Sequence, residues 1–180
     1  MEQDVWIALG ADHGGWELKE GLKAELVRGG YRLEDFSHSE FDPGDDYPDI
    51  AARVAQAVSS GGCLGVMICS TGTGSAIVAN KFAGVRAAAL HRLSHVILAR
   101  RHNHLNLLCL GALEFEEGGL EESLEGGYRN LLELPHRPVE VKEAMVLVRA
   151  FLMTPCEGGR HLRRVEKIAQ WERVGGGGGG

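Results

Sequence analysis

No apolar run in this chain approaches the ~20 residues that a bilayer-spanning helix needs, so a helical membrane protein is excluded by length of run alone. Cysteine is scarce, and Cys63, Cys69, Cys109 and Cys156 have no C-x-x-C spacing, which points to free thiols. No charged-then-apolar leader precedes Val5; with free thiols, the expected compartment is the cytoplasm. An excess of basic residues is missing too. The formal charge of -6 disfavours nonspecific binding to nucleic acid or an anionic membrane, although a local basic patch can still hold a small phosphate ligand. Nucleotide signatures are also lacking: there is no Gly-x-x-x-x-Gly-Lys-[Ser/Thr], and Gly72-Thr73-Gly74 lacks the third spaced glycine of a dinucleotide fingerprint. The expected partner is a small molecule.

What remains is the composition of a globular protein, 44% hydrophobic and 24% charged over 180 residues, a length that predicts one well-buried domain. Residues 1–174 are read as that domain, with an acidic insertion at about 112–138, and 175–180 as a low-complexity glycine tail. Val5-Trp6-Ile7-Ala8-Leu9 is a continuous apolar run, the pattern of a strand covered on both faces. Leu18, Leu22 and Leu26 then repeat at helical spacing until Gly29-Gly30. Tyr31 to Phe36, Leu64 to Cys69, Val85 to Leu90 and Asn106 to Leu110 read as further strands. Helices fall between them at Ile50/Val54/Val58, at Ser75 to Phe82 and at about Arg92 to Arg101, and Val141/Met145/Val148/Leu152 marks one more. Five strands alternating with helices predict an α/β fold, a Rossmann-like three-layer sandwich on a five-stranded parallel sheet. In such sheets ligands bind outside the carboxyl ends of the strands, where Asp12, His13 and Cys69 fall.

The stretch from Leu64 to Lys81 carries the strongest chemical signal. A strand ends at Cys69, passes through Ser70-Thr71-Gly72-Thr73-Gly74 and resumes as a helix. A glycine-rich turn feeding a helix start leaves backbone N–H groups that suit an anion or an oxyanion. A thiol beside such donors is in the setting where cysteine reacts as a thiolate, but a buried structural cysteine fits the same stretch equally well. A second signal lies at Gly158 to Lys167. Helix N-termini favour acids, yet Arg160, Arg163 and Arg164 crowd the first turns there. Either an anion or nearby glutamates would relieve that mismatch.

The blocks Asp12-His13-Gly14, Asp46-Tyr47-Pro48, Cys69 to Gly74, Ala79-Asn80-Lys81, Arg100-Arg101-His102-Asn103 and Gly158-Gly159-Arg160-His161-Leu162-Arg163-Arg164 stand in one order. In that order the chain resembles ribose-5-phosphate isomerase type B over about Val5 to Glu172, a family whose relatives include isomerases of six-carbon aldose phosphates. The resemblance implies an aldose–ketose isomerase that needs neither cofactor nor metal, with active sites between the subunits of a homodimer, or of a tetramer built from dimers. Carried over by position, Cys69 is the proton-transfer base, Thr71 adds a hydroxyl near the substrate, and His102 opens the sugar ring. Asp12 binds a sugar hydroxyl, Tyr47 lines the pocket, Asn103 contacts sugar oxygens, and His13, Arg160 and Arg164 hold the phosphate. The N–H groups of Ser70, Gly72, Thr73 and Gly74 form the anion hole. His102, Asn103 and His104 are not expected to bind a metal, because adjacent side chains on an extended segment diverge.

Four departures from the family pattern bear on substrate identity: Ser70 for a usual glycine, His104 for a common aspartate, Leu113 for an arginine that contacts phosphate, and the long insertion after it. Arg137, set between Pro135 and Pro138, is a candidate to replace that arginine, against a plain solvated loop. Two rival functions stay open beside pentose-phosphate isomerisation: isomerisation of a six-carbon aldose phosphate, and noncatalytic phosphate binding on the same fold.

Overall fold

A computed structural model of the chain describes residues 6–115 and 136–175. Its centre is a five-stranded parallel sheet in the order β2-β1-β3-β5-β4, formed by β1 (Trp6–Ala11), β2 (Leu33–Asp35), β3 (Cys63–Cys69), β4 (Ala87–Ala89) and β5 (Leu107–Gly111). The helices are α1 (Trp16–Arg28), α2 (Tyr47–Ser59), α3 (Thr73–Ala79), α4 (Leu93–Asn103), α5 (Val141–Met153) and α6 (Arg160–Gly175). The apolar runs are continuous because both faces of the sheet are covered. Ile7, Leu9, Val66, Ile68, Leu108 and Leu110 pack with α1, α4 and α5 on one side. Ala8, Met67, Leu107 and Cys109, one residue out of step, pack with α2 and α3 on the other. The expected three-layer sandwich is therefore present.

Boundaries differ from the sequence reading where the sheet ends. β2 and β4 are three-residue strands, shorter than the stretches Tyr31 to Phe36 and Val85 to Leu90 that contain them, because each is an edge strand with one neighbour to hold it. Gly30 stops α1 as expected and Gly61 follows α2 in the same way, both with left-handed backbones (φ 79° and 83°). The segment ending at Asn103 is helical, not extended: α4 runs through His102 and Asn103 and closes on His104 in the left-handed conformation (φ 52°). The insertion is not wholly irregular. Its ends form an antiparallel ribbon of β6 (Leu113–Phe115) and β7 (His136–Pro138), in which Glu114 lies opposite Arg137. The short helix anticipated around Leu120 to Leu132 lies outside the described residues.

One ionic network fixes the β2 edge. Lys19 is fully buried in α1, and its ammonium contacts Asp35 at 3.0 Å, reaches Glu20, and lies 3.8 Å from the Trp16 ring centroid. Burial alone would raise the Asp35 carboxyl, but hydrogen bonds from Lys23, Lys19 and Ser37 outweigh it and hold it at about 2. A carboxyl depressed in the folded state adds stability above its unfolded value, about 3.9, and that stability is lost as pH falls from about 4 toward about 2. Asp35→Asn leaves a buried ammonium short of its main counterion and should cost about 3 kcal/mol, with Glu20 keeping the loss at the low end of the range for a broken buried pair. Urea melts of both proteins at pH 7 and pH 3 check this: the difference between them should shrink at the lower pH.

Candidate active site

The carboxyl ends of β1 and β3 gather the first set of polar groups. β3 ends at Cys69, which is buried, and the N–H of Gly72 donates to its sulfur at 3.1 Å. The turn is bolted to the neighbouring strand, since Ala112 N donates to Cys69 O at 2.9 Å and Leu113 N to Ser70 O at 3.1 Å. Gly72 has φ 77°, and a Cβ there would sit 3.0 Å from the Leu110 backbone, so this position requires glycine twice over. Ser70 carries no positive φ, so its replacement of a glycine does not distort the turn. Its hydroxyl instead packs against Gly14, where an added Cβ would meet it at 2.6 Å. Thr71 and Thr73 are exposed, and Thr73 N approaches Thr71 Oγ1 at 3.4 Å. The Tyr47 ring, at the start of α2, lies so close to Gly74 that a Cβ would meet it at 2.7 Å.

Beside this turn, Asp12 follows β1 and caps a short 3-10 turn, accepting from Gly15 N at 3.0 Å. Burial pushes its carboxyl up, partly offset by that N–H and by His13. The His13 backbone N–H and Nδ1 both lie 2.8 Å from Asp45 Oδ1. The Asp45 hydrogen bond raises the His13 imidazole above its ordinary range against the opposing effect of burial.

A second set of groups lies elsewhere. His102 and Asn103 close α4 immediately before β5, while Cys69 lies level with Gly111, where β5 ends. From the Gly65–Leu107 pair to the Cys69–Gly111 pair the two strands advance four residues, about 13 Å. His102 therefore stands at the amino rim of the sheet and Cys69 at the carboxyl rim. Arg160 and Arg164 belong with His102: α6 packs on α4, and Glu157, just ahead of α6, donates its N–H to Arg101 O at 2.8 Å. The His102 and His161 rings stack at 4.0 Å, and Glu157 Oε2 lies 3.6 Å and 3.5 Å from their Nε2 atoms. Burial, with His102 and Arg160 nearby, pushes the His161 imidazole below its ordinary range, and the Arg101 guanidinium lowers the Glu157 carboxyl. His104 donates its Nε2–H to the Glu157 carbonyl at 2.7 Å; this histidine, where the family often has aspartate, thus anchors the segment that faces His102. Among the described residues, Arg160, Arg163 and Arg164 form no ion pair with a carboxylate.

His102, Glu157 and His161 bring one ligand atom each within 4.8 Å of one another. The two rings are within 10° of parallel, so their lone pairs cannot meet at one point, and Arg160 Nε already donates to His161 Nε2 at 3.2 Å. That geometry suits an imidazole pair over a carboxylate better than a metal.

A cleft of about 500 Å3 adjoins the Cys69 turn, lined among others by Thr71, Thr73, Arg92, Leu113, Arg137 and Glu143. Arg137 does line the same cleft as Leu113, but Glu114 and Glu143 hold its guanidinium. Arg92, at the N-cap of α4, forms no ion pair among the described residues. The sequence reading singled out neither Arg92 nor Asp45. The only trace of Asp45 was the acidic run before Tyr47, and nothing in it told which carboxylate turns inward.

The Ribose/Galactose Isomerase family matches residues 7–168. The chain belongs to that family. It is 34% identical to the probable ribose-5-phosphate isomerase B of Mycoplasma pneumoniae, over 96% of this chain and 97% of the relative. It is 36% identical to ribose-5-phosphate isomerase B of Escherichia coli, over 93% and 96%. Among solved structures, ribose-5-phosphate isomerase B of Clostridium thermocellum superposes with a TM-score of 0.77 at 34% identity, covering 94% of this chain and 99% of the other. The Mycoplasma genitalium enzyme with bound ribulose 5-phosphate superposes with a TM-score of 0.76 at 34% identity, covering 94% and 97%. Among the described residues no helix is long and apolar enough to cross a membrane, and all four cysteines are free.

Gly72→Ala forces a side chain into both a left-handed backbone and a contact with immobile backbone. It should cost about 1–3 kcal/mol in a denaturation titration; a variant as stable as the parent would show that the turn does not need glycine.

Proposed function

We propose that the chain is an aldose–ketose isomerase that interconverts ribose 5-phosphate and ribulose 5-phosphate in the cytoplasm, working as a homodimer with shared active sites. The observation that carries the shared site is the placement of Cys69 and His102 at opposite rims of one parallel sheet. A second copy turned end for end sets the amino rim of one chain against the carboxyl rim of the other. The substrate follows from the family and from relatives that act on ribose 5-phosphate, one of them with ribulose 5-phosphate bound.

The chemistry runs as follows. His102 of one subunit assists opening of the furanose ring, releasing the C1 aldehyde. Cys69 of the other, as thiolate, takes the proton from C2, and the electron pair moves into the C1–C2 bond while the C1 oxygen becomes an enediolate oxygen. Backbone N–H groups of the Ser70 to Gly74 turn, with the Thr71 hydroxyl, stabilise that oxygen. The proton returns from Cys69 to C1, the hydroxyl proton on O2 moves to O1, and the ketose is complete. Asp12, Tyr47 and Asn103 hold sugar oxygens, while His13, Arg160 and Arg164 hold the phosphate, which gives the uncompensated arginines at the start of α6 their counter-charge. No step calls for a metal or organic cofactor.

Cys69→Ala and His102→Asn should each lower kcat on ribose 5-phosphate at least ~100-fold, the usual cost of a lost acid–base group. Co-refolding the two inactive variants should restore about a quarter of the parental activity, because half of randomly paired dimers are mixed and one of two sites in each is intact. No recovery would place both residues in the site of one chain. Arg137, held by two carboxylates, brings no net positive charge to the cleft. Arg137→Ala should leave KM for ribose 5-phosphate within about twofold and change stability little, as exposed pairs do. A large rise in KM would restore Arg137 as a phosphate ligand.

A further inference from the structure

Asp45, in the loop before α2, is a buried acidic residue. Its side chain is 1% exposed, Oδ1 takes both bonds from His13, and Oδ2 is buried with no hydrogen-bond partner among the described residues. An Asx turn places it: Gly44 N donates to Asp42 Oδ1 at 2.9 Å and Asp45 N to Asp42 O at 3.3 Å, so the chain doubles back and presents Asp45 to the loop after β1. Taking a carboxylate out of water is costly unless a cation is held against it. Among the described residues, His13 is the cationic partner within reach.

The hydrogen bonds also assign the His13 proton. Nδ1 lies 2.8 Å from Asp45 Oδ1 and 3.1 Å from the Asp45 carbonyl oxygen, and a carbonyl can only accept, so Nδ1 carries hydrogen. In the neutral ring Nε2 would then be a bare lone pair, which repels an anion. Only the imidazolium offers a second N–H; the His13 side chain is 46% exposed, and its Nε2 has no hydrogen-bond partner among the described residues. We propose that Asp45 is a positioning residue that holds His13 as an imidazolium, with Nε2–H free to donate to the phosphate of the substrate. The proposal rests on reading the site as a sugar-phosphate site. The charged groups facing His13 are Asp12, at the end of β1, and Asp45, in the loop before α2; both are acidic, and both raise the imidazole against burial.

Asp45→Asn keeps an oxygen for Nδ1–H and removes the charge. KM for ribose 5-phosphate should rise as His13 loses its proton, and in the parent that rise should come at higher pH than in Asp45→Asn. In Asp45→Asn the rise should begin once pH passes about 6.5, the ordinary imidazole value. At pH 7.5 the variant should show a KM at least about five-fold higher with kcat within about twofold, and at pH 5.5 the two KM values should converge. A KM ratio that does not change with pH, or kcat and KM falling together at every pH, would overturn the proposal. Because the new amide places an NH2 where Oδ2 had no partner, folding of the variant is checked first, and a second measurement does not depend on it. In the NMR spectrum of the parent, the His13 ring signal, identified by its loss in His13→Gln, should titrate above 6.5 and shift on adding inorganic phosphate. A His13 that titrates at or below 6.5, or that ignores phosphate, overturns the proposal whatever the substrate. A high, phosphate-sensitive His13 in a protein that does not turn over ribose 5-phosphate would sink the functional reading and leave this one standing.

Discussion

The hydrogen-bonded ladder that joins β3 to β1 and β5 in parallel is what every other part of the molecule answers to. Parallel pairing sends the loops after β1 and β3 to one rim, and it obliges each crossover helix to return its own C-terminus to the opposite rim. Asp12, His13 and the Cys69 turn therefore share one end of the sheet, and His102, at the end of α4, is delivered to the other. The separation is a matter of topology, not of side-chain conformation. On the proposed reading, a second copy of the chain brings the two sets together.

The two rims also differ in charge. At the carboxyl rim, two buried carboxylates, Asp12 and Asp45, surround one imidazole, and the donors are mainly backbone N–H groups. At the amino rim, Arg160, Arg163 and Arg164 have no carboxylate partners among the described residues, and a stacked histidine pair shares Glu157 with Arg101. A net charge of -6 conceals this division. On the proposed reading, a sugar phosphate between two such rims meets backbone N–H donors and the His13 ring on one side and guanidinium groups on the other.

The insertion after Leu113 shows how local chemistry redirects a side chain. Pairing of β6 with β7 sets Arg137 across from Glu114, and the capping box of α5 brings Glu143 to the same guanidinium. Arg137 lines the cleft, but its charge is spent on joining the ribbon to α5. Ser70 and His104, the other departures from the family pattern, are absorbed in a comparable way: one packs on Gly14 with ordinary backbone angles, and the other closes α4 and anchors the Glu157 carbonyl.

Much of this was open to inspection in the sequence, because it is written in periodicity. The short apolar runs Trp6 to Leu9 and Leu64 to Cys69, each closed by a polar or glycine-rich turn, read as strands covered on both faces, and the glycine pair Gly29-Gly30 reads as a helix end. The Cys69 turn was legible for the same local reason: glycines and a thiol between a strand and a helix define their own geometry. Contacts between distant segments were not legible. That Asp45, and not its neighbour Asp46, turns inward onto His13 depends on an Asx turn and on how α2 packs against the sheet. That His102 meets His161 and Glu157, and not Cys69, depends on the rim to which α4 returns. Those choices are made by packing and chain direction, which act between residues tens of positions apart and leave no mark on local pattern.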